Sequence, residues 1–417
     1  MPIYLIILVA SVFLGTQLFA IPTPVAQMTI YRLCALSVLP LIAIQLAQRR
    51  SSLKWHAKNP SSYMVMVLIV WWLWAFVSVL WVLNLKLWFQ TLFLLTLGVS
   101  SVLALYFWVK KWRHWQQLIV TAWLMMTGLV AWGYLELLTG KYLFADLSKL
   151  YRGQTNLNFF NRIPITTFAN QNDYATLLIA YLAVSYIIYH FARTFLFKLI
   201  PAVTSLLAFY LIYRTDSRMS LACALLLGII LGLQHYRLSF STSQKWRLFM
   251  TFVGFVVGVF ALKPSLWDKV QQLIYMASKA YLSGDAVRVN LMRNGLIFLS
   301  ETFGFGVGAG NIEHWMKFYA FLPTKNIVNM HSWWFEILVG YGVIVFALYV
   351  SAYGLLLHRL RQLTRSYKGI IQQTAIALSA YLWVFIPASM TSANNMLIEW
   401  HWVFLGLIIV FIKLTEK

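Results

Sequence analysis

The chain has 417 residues, of which 61% are hydrophobic, 17% aromatic and only 11% charged, and its formal net charge is +22. A soluble domain carries about 25% charged residues, so this composition excludes one. The positive charge is divided among short loops with no soluble module to present it, which excludes a nucleic-acid-binding protein as well.

Apolar runs of about 20 residues cross a bilayer as helices, and lipid accepts only helices or closed barrels. The runs here are continuous rather than alternating, so they predict helices. Taken in order they number twelve, with cores at 3–20, 26–46, 63–83, 87–109, 118–138, 172–190, 199–213, 219–235, 248–262, 331–357, 372–389 and 397–413. The first lacks a basic start, and Leu18 spoils the small-residue pattern before Ala20, so it reads as a retained helix. Cys34 and Cys223 fall inside spans and read as packing residues.

Basic residues cluster at Arg49–Lys58, Lys110–Arg113, Arg193–Lys198, Arg237–Arg247 and Arg359–Lys368. Twelve spans put all five clusters on one face together with both termini, and basic loops mark the cytoplasmic side, beside anionic lipid. Acidic residues behave conversely. Glu136, Asp146, Asp173, Asp216, Asp268, Asp285, Glu301, Glu313 and Glu336 fall in or near the outer segments. The expectation is a single integral membrane domain over residues 1–417. Its large extracytoplasmic loop, 263–330, joins spans nine and ten and contains helices near 265–282 and 286–301.

The outer segments hold the candidate chemistry. Thr215-Asp216-Ser217-Arg218 opens span eight. Thr, Asp and Ser are N-cap residues, and a helix start offers open N–H groups to an anion. Arg218 adds a planar donor fork matched to phosphate, with Arg214 next to it; the alternative is that Arg218 snorkels or pairs with Asp216. Arg288 and Arg293 lie on the helix opening the second half of the large loop. Five residues apart, they point to different faces, so one of them reaches a shared site. Gly304, Gly306, Gly308 and Gly310 alternate with other residues and predict a bend that lets chains pack closely.

His331 stands at the start of span ten, with Asn329 placed to cap it. A helix start disfavours added positive charge, which suits a neutral imidazole that accepts a proton. Glu336, five residues on, is directed away from His331 and toward an arginine on another helix. Trp333, Trp334 and Phe335 read as interfacial anchors, with sugar stacking as the alternative for one of them. Neither a metal-ligand pattern nor a carboxylate cluster is visible in the sequence, and no cofactor is implied.

Four patches, in order, resemble the O-antigen polymerase and ligase superfamily of bacterial membrane glycosyltransferases. They are Phe168-Ala-Asn170-Gln-Asn172-Asp173-Tyr-Ala175, Thr215-Asp-Ser217-Arg218, Arg288 followed by Phe303-Gly-Phe-Gly306-Val-Gly308-Ala-Gly310-Asn311, and His331-Ser-Trp-Trp-Phe-Glu336 with Gly342 beyond. The match covers 168–342. Ser332 departs from the Asn common at that position. The resemblance implies an all-α, polytopic, GT-C-like fold of about twelve transmembrane helices. It implies transfer of a glycan from a polyprenyl-diphosphate lipid to an acceptor hydroxyl, at the outer face of the bacterial cytoplasmic membrane. His331 would be the base. Arg218 and Arg288 would hold the diphosphate, with Arg214, Arg293, Glu336 and Asn172 near the substrate and no metal required. Whether the acceptor is another lipid-linked glycan (a polymerase) or a different anchor (a ligase) stays open. A transporter of the same lipid would also use outer arginines, but it predicts internal repeats and leaves His331 without a role.

Overall fold

The computed structural model describes residues 2–16, 18–23, 26–48, 59–144, 158–235, 284–390 and 396–416, together with Leu147, Met250 and Gly254. Within them the chain is helical, and the only β-pairing there is an isolated bridge between Ile21 and Met28. The helices are α1 (Pro2–Ser11), α2 (Ile30–Ala47), α3 (Pro60–Val77), α4 (Leu85–Trp108), α5 (Trp112–Thr139), α6 (Gln171–Phe191) and α7 (Phe195–Arg214). There follow α8 (Arg218–His235), α9 (Gly284–Glu301), α10 (Ile312–Phe318), α11 (Trp333–Ser366), α12 (Ile370–Ala388) and α13 (Glu399–Thr415).

Eight of these, α2 to α7 with α11 and α12, are long and apolar enough to cross a membrane. The all-helical, polytopic class read from the sequence therefore holds. The sequence-predicted ninth span at 248–262 and the first loop helix at 265–282 lie outside the described residues, apart from Met250 and Gly254.

Two boundaries differ from the sequence reading. The first apolar run stays helical only to Leu14, because Gly15 turns left-handed at φ 72°. A Cβ there would lie 2.8 Å from Thr167, so the chain presses against the 165–167 loop instead of extending. At the other extreme α11 continues to Ser366, well past 357. Leu356, Leu357, Leu360 and Leu363 are buried at helical spacing, so one apolar stripe carries the helix on, and Arg359, Arg361 and Arg365 ride on it.

Antiparallel alternation gathers the starts of α2, α4, α6, α8, α11 and α13 at one end of the bundle. The ends of α1, α3, α5, α7 and α12 meet them there. Because lipid gives apolar helices little reason to associate, polar ties carry extra weight. Arg32 at the start of α2 pairs with Glu399 at the start of α13, Nε to Oε1 at 2.6 Å, and Arg32 also donates to the Gln27 carbonyl. The pair is almost fully buried, so losing one partner would cost about 3–5 kcal/mol. Trp333, Phe385 and His401 clamp α11, α12 and α13 nearby; the His401 and Phe385 rings stack 3.8 Å apart.

Candidate active site

The glycine run and α11 build this end together. Gly342 has φ 85° and ψ 174°, which breaks α11 after its first turns. A helix break frees backbone groups that must find partners. Val307 N–H donates to the Val339 carbonyl at 2.9 Å, and Gly308 N–H donates to the Gly340 carbonyl at 3.0 Å. Val343 N–H donates back to the Gly304 carbonyl at 2.9 Å. Gly304, Gly306, Gly308 and Gly310 all have positive φ. The approach requires glycine on both sides, because a Cβ on Gly306 would sit 2.6 Å from Gly342 N. The run is thus a close-packing bend, as its spacing predicted, and its N–H groups at 307 and 308 are spent on α11. Asn311 then fastens it to the α3–α4 turn, accepting from Leu83 and Asn84 N–H at 3.1 and 2.8 Å.

The start of α11 is closed. The helix begins at Trp333, two residues later than the sequence suggested, with Ser332 as its N-cap. His331 precedes the cap with φ 50° and so cannot be helical. Its N–H donates to Asn329 Oδ1 at 2.7 Å, an asparagine turn that holds the strained backbone. Ser332 Oγ takes the Phe335 N–H, and the Ser389 carbonyl takes the Trp333 N–H at 3.1 Å. This explains the serine at 332: it caps. Trp333 and Trp334 are core residues rather than interfacial anchors, donating to Tyr349 Oη and Ser389 Oγ. His331 itself is half-buried at the mouth of this start.

The start of α8 is open. Asp216 takes φ 55°, and Ser217 Oγ bonds Ser220 Oγ at 2.9 Å rather than a backbone N–H. Among the described residues nothing accepts from the N–H groups of Arg218, Met219 or Ser220. Arg218 is exposed beside them. Arg214 has a different task. It donates to the Phe159 and Arg162 carbonyls at 2.5 and 3.0 Å and lies over the Phe159 ring. Arg162 in turn donates to the Leu137 and Leu138 carbonyls, which closes the end of α5. Asn170 caps α6 by accepting from the Asn172 and Asp173 N–H groups, so Asn172 enters this region through its backbone.

Helix α9 packs on α11 through Val287, Leu291 and Phe298 against Met330 and Val339. Arg288 and Arg293 are both half-buried. They lie about 140° apart and flank that apolar stripe on opposite sides. Glu336 is buried and shares a void of about 20 Å³ with Glu313, Thr91, Gly310, Gly340 and Tyr341, room for about one water. Burial pushes the Glu313 carboxyl up, opposed by a hydrogen bond from Asn329. Asn329 therefore links Glu313 to the His331 backbone. Among the described residues no three His, Cys, Asp or Glu side chains converge as metal ligands.

Sequence reasoning missed the Arg162–Arg214 pair, the Arg32–Glu399 pair and Asn290 and Asn294 on α9. Asn294 accepts from the Phe321 and Leu322 N–H groups, and Asn290 donates to the Pro323 carbonyl. Their i, i+4 spacing on an apolar helix was the available signal. Away from this end, α6, α7 and α8 enclose an apolar cavity of about 640 Å³ lined by Tyr186, His190, Phe209 and Gly228 among others, and it contains none of the candidate residues.

Residues 203–350 match the family model described as O-antigen ligase. That stretch contains Arg214, Arg218, Arg288, Arg293, the glycine run, His331 and Glu336. The chain is also similar to the teichuronic acid biosynthesis protein TuaE of Bacillus subtilis (strain 168). The two are 27% identical over 429 residues, which takes in 99% of this chain and 84% of the relative. Both findings support an O-antigen polymerase/ligase-like superfamily, and with it a membrane enzyme of polysaccharide biosynthesis.

Proposed function

From that superfamily placement we propose that the protein is a glycosyltransferase that extends a cell-surface polysaccharide from a polyprenyl-diphosphate-linked donor. The observation that carries this reading is the pairing of unlike helix starts at one end of the bundle. The open start of α8, with Arg218 and three N–H groups, suits the diphosphate. His331, fixed at the mouth of α11, suits the acceptor. In the reaction, His331 takes the proton of an acceptor hydroxyl as its oxygen attacks the anomeric carbon. The bond from that carbon to the diphosphate oxygen breaks. The lipid diphosphate leaves with the electron pair, and Arg218, Arg288 and the α8 start stabilise its added charge. No divalent metal is needed where cations already face the phosphates, so transfer should persist in excess chelator. Loss of activity that returns with added magnesium would overturn that part.

Arg214 supports this site rather than touching the donor, because its guanidinium is committed to the 159–162 segment. The similarity to a teichuronic acid biosynthesis protein favours polymerisation, whereas the family description favours ligation; the chemistry at the donor is the same. Incubating the purified protein with one lipid-linked repeat unit separates them. A product ladder means polymerase, and product only after a second acceptor is added means ligase. The reading also places both termini in the cytoplasm and His331 outside. In a variant lacking Cys34 and Cys223, Ser300→Cys should label with an impermeant thiol reagent in intact cells and Ser366→Cys should not. The opposite pattern would invert the site.

A further inference from the structure

The segment after α10 encloses a polar cavity of about 480 Å³ that the chemistry above does not use. Lys317, Phe321, Leu322, Thr324, Lys325 and Asn326 wall it. Its shape is held from behind. Asn294 accepts from Phe321 and Leu322 N–H at 3.1 and 2.9 Å and donates to the Leu322 carbonyl at 2.9 Å, while Asn290 donates to the Pro323 carbonyl at 3.0 Å. Both asparagines are buried. Lys325 and Asn326 are consecutive non-glycine residues at φ 52° and 61°. Such backbone is unfavourable and persists where its surroundings enforce it, often at binding sites.

The lining selects a ligand class. Two ammonium groups favour an anion. Lysine is a point charge, whereas a diphosphate is better matched by the arginine fork found elsewhere at this end. Rings of Phe318, Tyr319 and Phe321 lie exposed around the mouth, with Lys317 Nζ 5.2 Å from the Phe318 ring centre. Flat apolar faces beside cations fit a sugar ring that bears a carboxylate. Asn326 and His331 are five residues apart, so about 18 Å at most separates their backbones. We infer that this cavity is an acceptor subsite for an acidic sugar of the glycan whose terminal hydroxyl reaches His331. The inference rests on the transferase reading.

The test measures binding without turnover, on the full-length protein in lipid nanodiscs at low salt. The probes are a soluble tetrasaccharide alternating glucuronate with N-acetylhexosamine, its carboxyl-reduced form, and inorganic phosphate as competitor. The acidic probe should bind about 10-fold tighter than the reduced one, since an exposed ion pair contributes up to about 1 kcal/mol, roughly fivefold, for each lysine. The double variant Lys317→Gln, Lys325→Gln should lose that preference, and Lys317→Arg, Lys325→Arg should keep it. Equal binding of both sugars, or a preference that survives the glutamine pair, overturns the subsite. Displacement of the acidic probe by phosphate at concentrations below those of the sugar reassigns the cavity to phosphate and also overturns it. A preference that holds in a protein inert toward lipid-linked repeat units would instead sink the transferase reading and leave the cavity's selectivity standing.

Discussion

Two helix starts carry the candidate chemistry, and they are finished in opposite ways. At α11 the available N–H groups are consumed: Trp333 donates to Ser389, and Phe335 donates to the Ser332 cap. At α8 the N–H groups of Arg218, Met219 and Ser220 have no acceptor among the described residues, and an exposed arginine stands beside them. The sequence offers the same promise at both places, a run of cap-forming residues next to a functional side chain. The difference teaches that a helix start serves an anion only when its cap leaves the amides open. The closed start serves instead as a rigid mount for His331.

The largest effect should come from the mounted residue. His331→Ala should lower turnover by about 10²–10⁴, the usual contribution of a general base, in protein that still inserts and folds. Turnover within a fewfold of the parent would remove His331 from the chemistry. Next is the break that shapes the closed start. In Gly342→Ala a Cβ would lie 2.6 Å from the Phe305 carbonyl carbon at a φ of 85°, with backbone on the other side. A loss of about 1–3 kcal/mol follows, read as a lower thermal midpoint. An unchanged midpoint would mean the glycine run and α11 are not locked together.

Cap substitutions sharpen the contrast at smaller scale. Ser332→Ala should destabilise by about 1 kcal/mol, whereas Ser217→Ala should change stability by less than about 0.5 kcal/mol, because Ser217 caps no backbone group. Equal losses would erase the distinction between open and closed starts. The smallest effect is pH-dependent. Burial raises the Glu313 carboxyl, so the fold favours its protonated form; that contribution is full at acid pH and fades as pH rises through the folded pKa. Glu313→Gln should therefore leave stability unchanged below the ordinary carboxylate range and improve it slightly at neutral pH. Destabilisation at neutral pH would show that the charged form is held by a cation.

The helices were legible because lipid imposes length and continuity on each span. The glycine bend was legible from its alternation, and the resemblance from the order of its patches. The break at Gly342 was hidden inside a run that is apolar on both sides, although Gly340 and Gly342 repeat the spacing of the run they meet. The Ser332 cap was taken for a departure from a signature, since a cap shows only when the boundary is known to a residue. Arg214 and Arg162 looked like donor ligands or loop charges in sequence. Their carbonyl partners lie 25 to 55 residues away, and nothing local reports such distances. Trp333 and Trp334 read as anchors from composition, but α12 and α13 pack over them.

The most direct test separates binding from chemistry across the two starts. Equilibrium affinity for a polyprenyl-diphosphate-linked glycan would be measured on purified Arg218→Lys and His331→Ala proteins in the same nanodiscs. Replacing a bidentate charge-assisted contact costs about 1.5–3 kcal/mol, so Arg218→Lys should weaken donor binding by roughly 10- to 100-fold, while His331→Ala should bind the donor as the parent does. Unchanged donor affinity in Arg218→Lys together with lost affinity in His331→Ala would contradict the account.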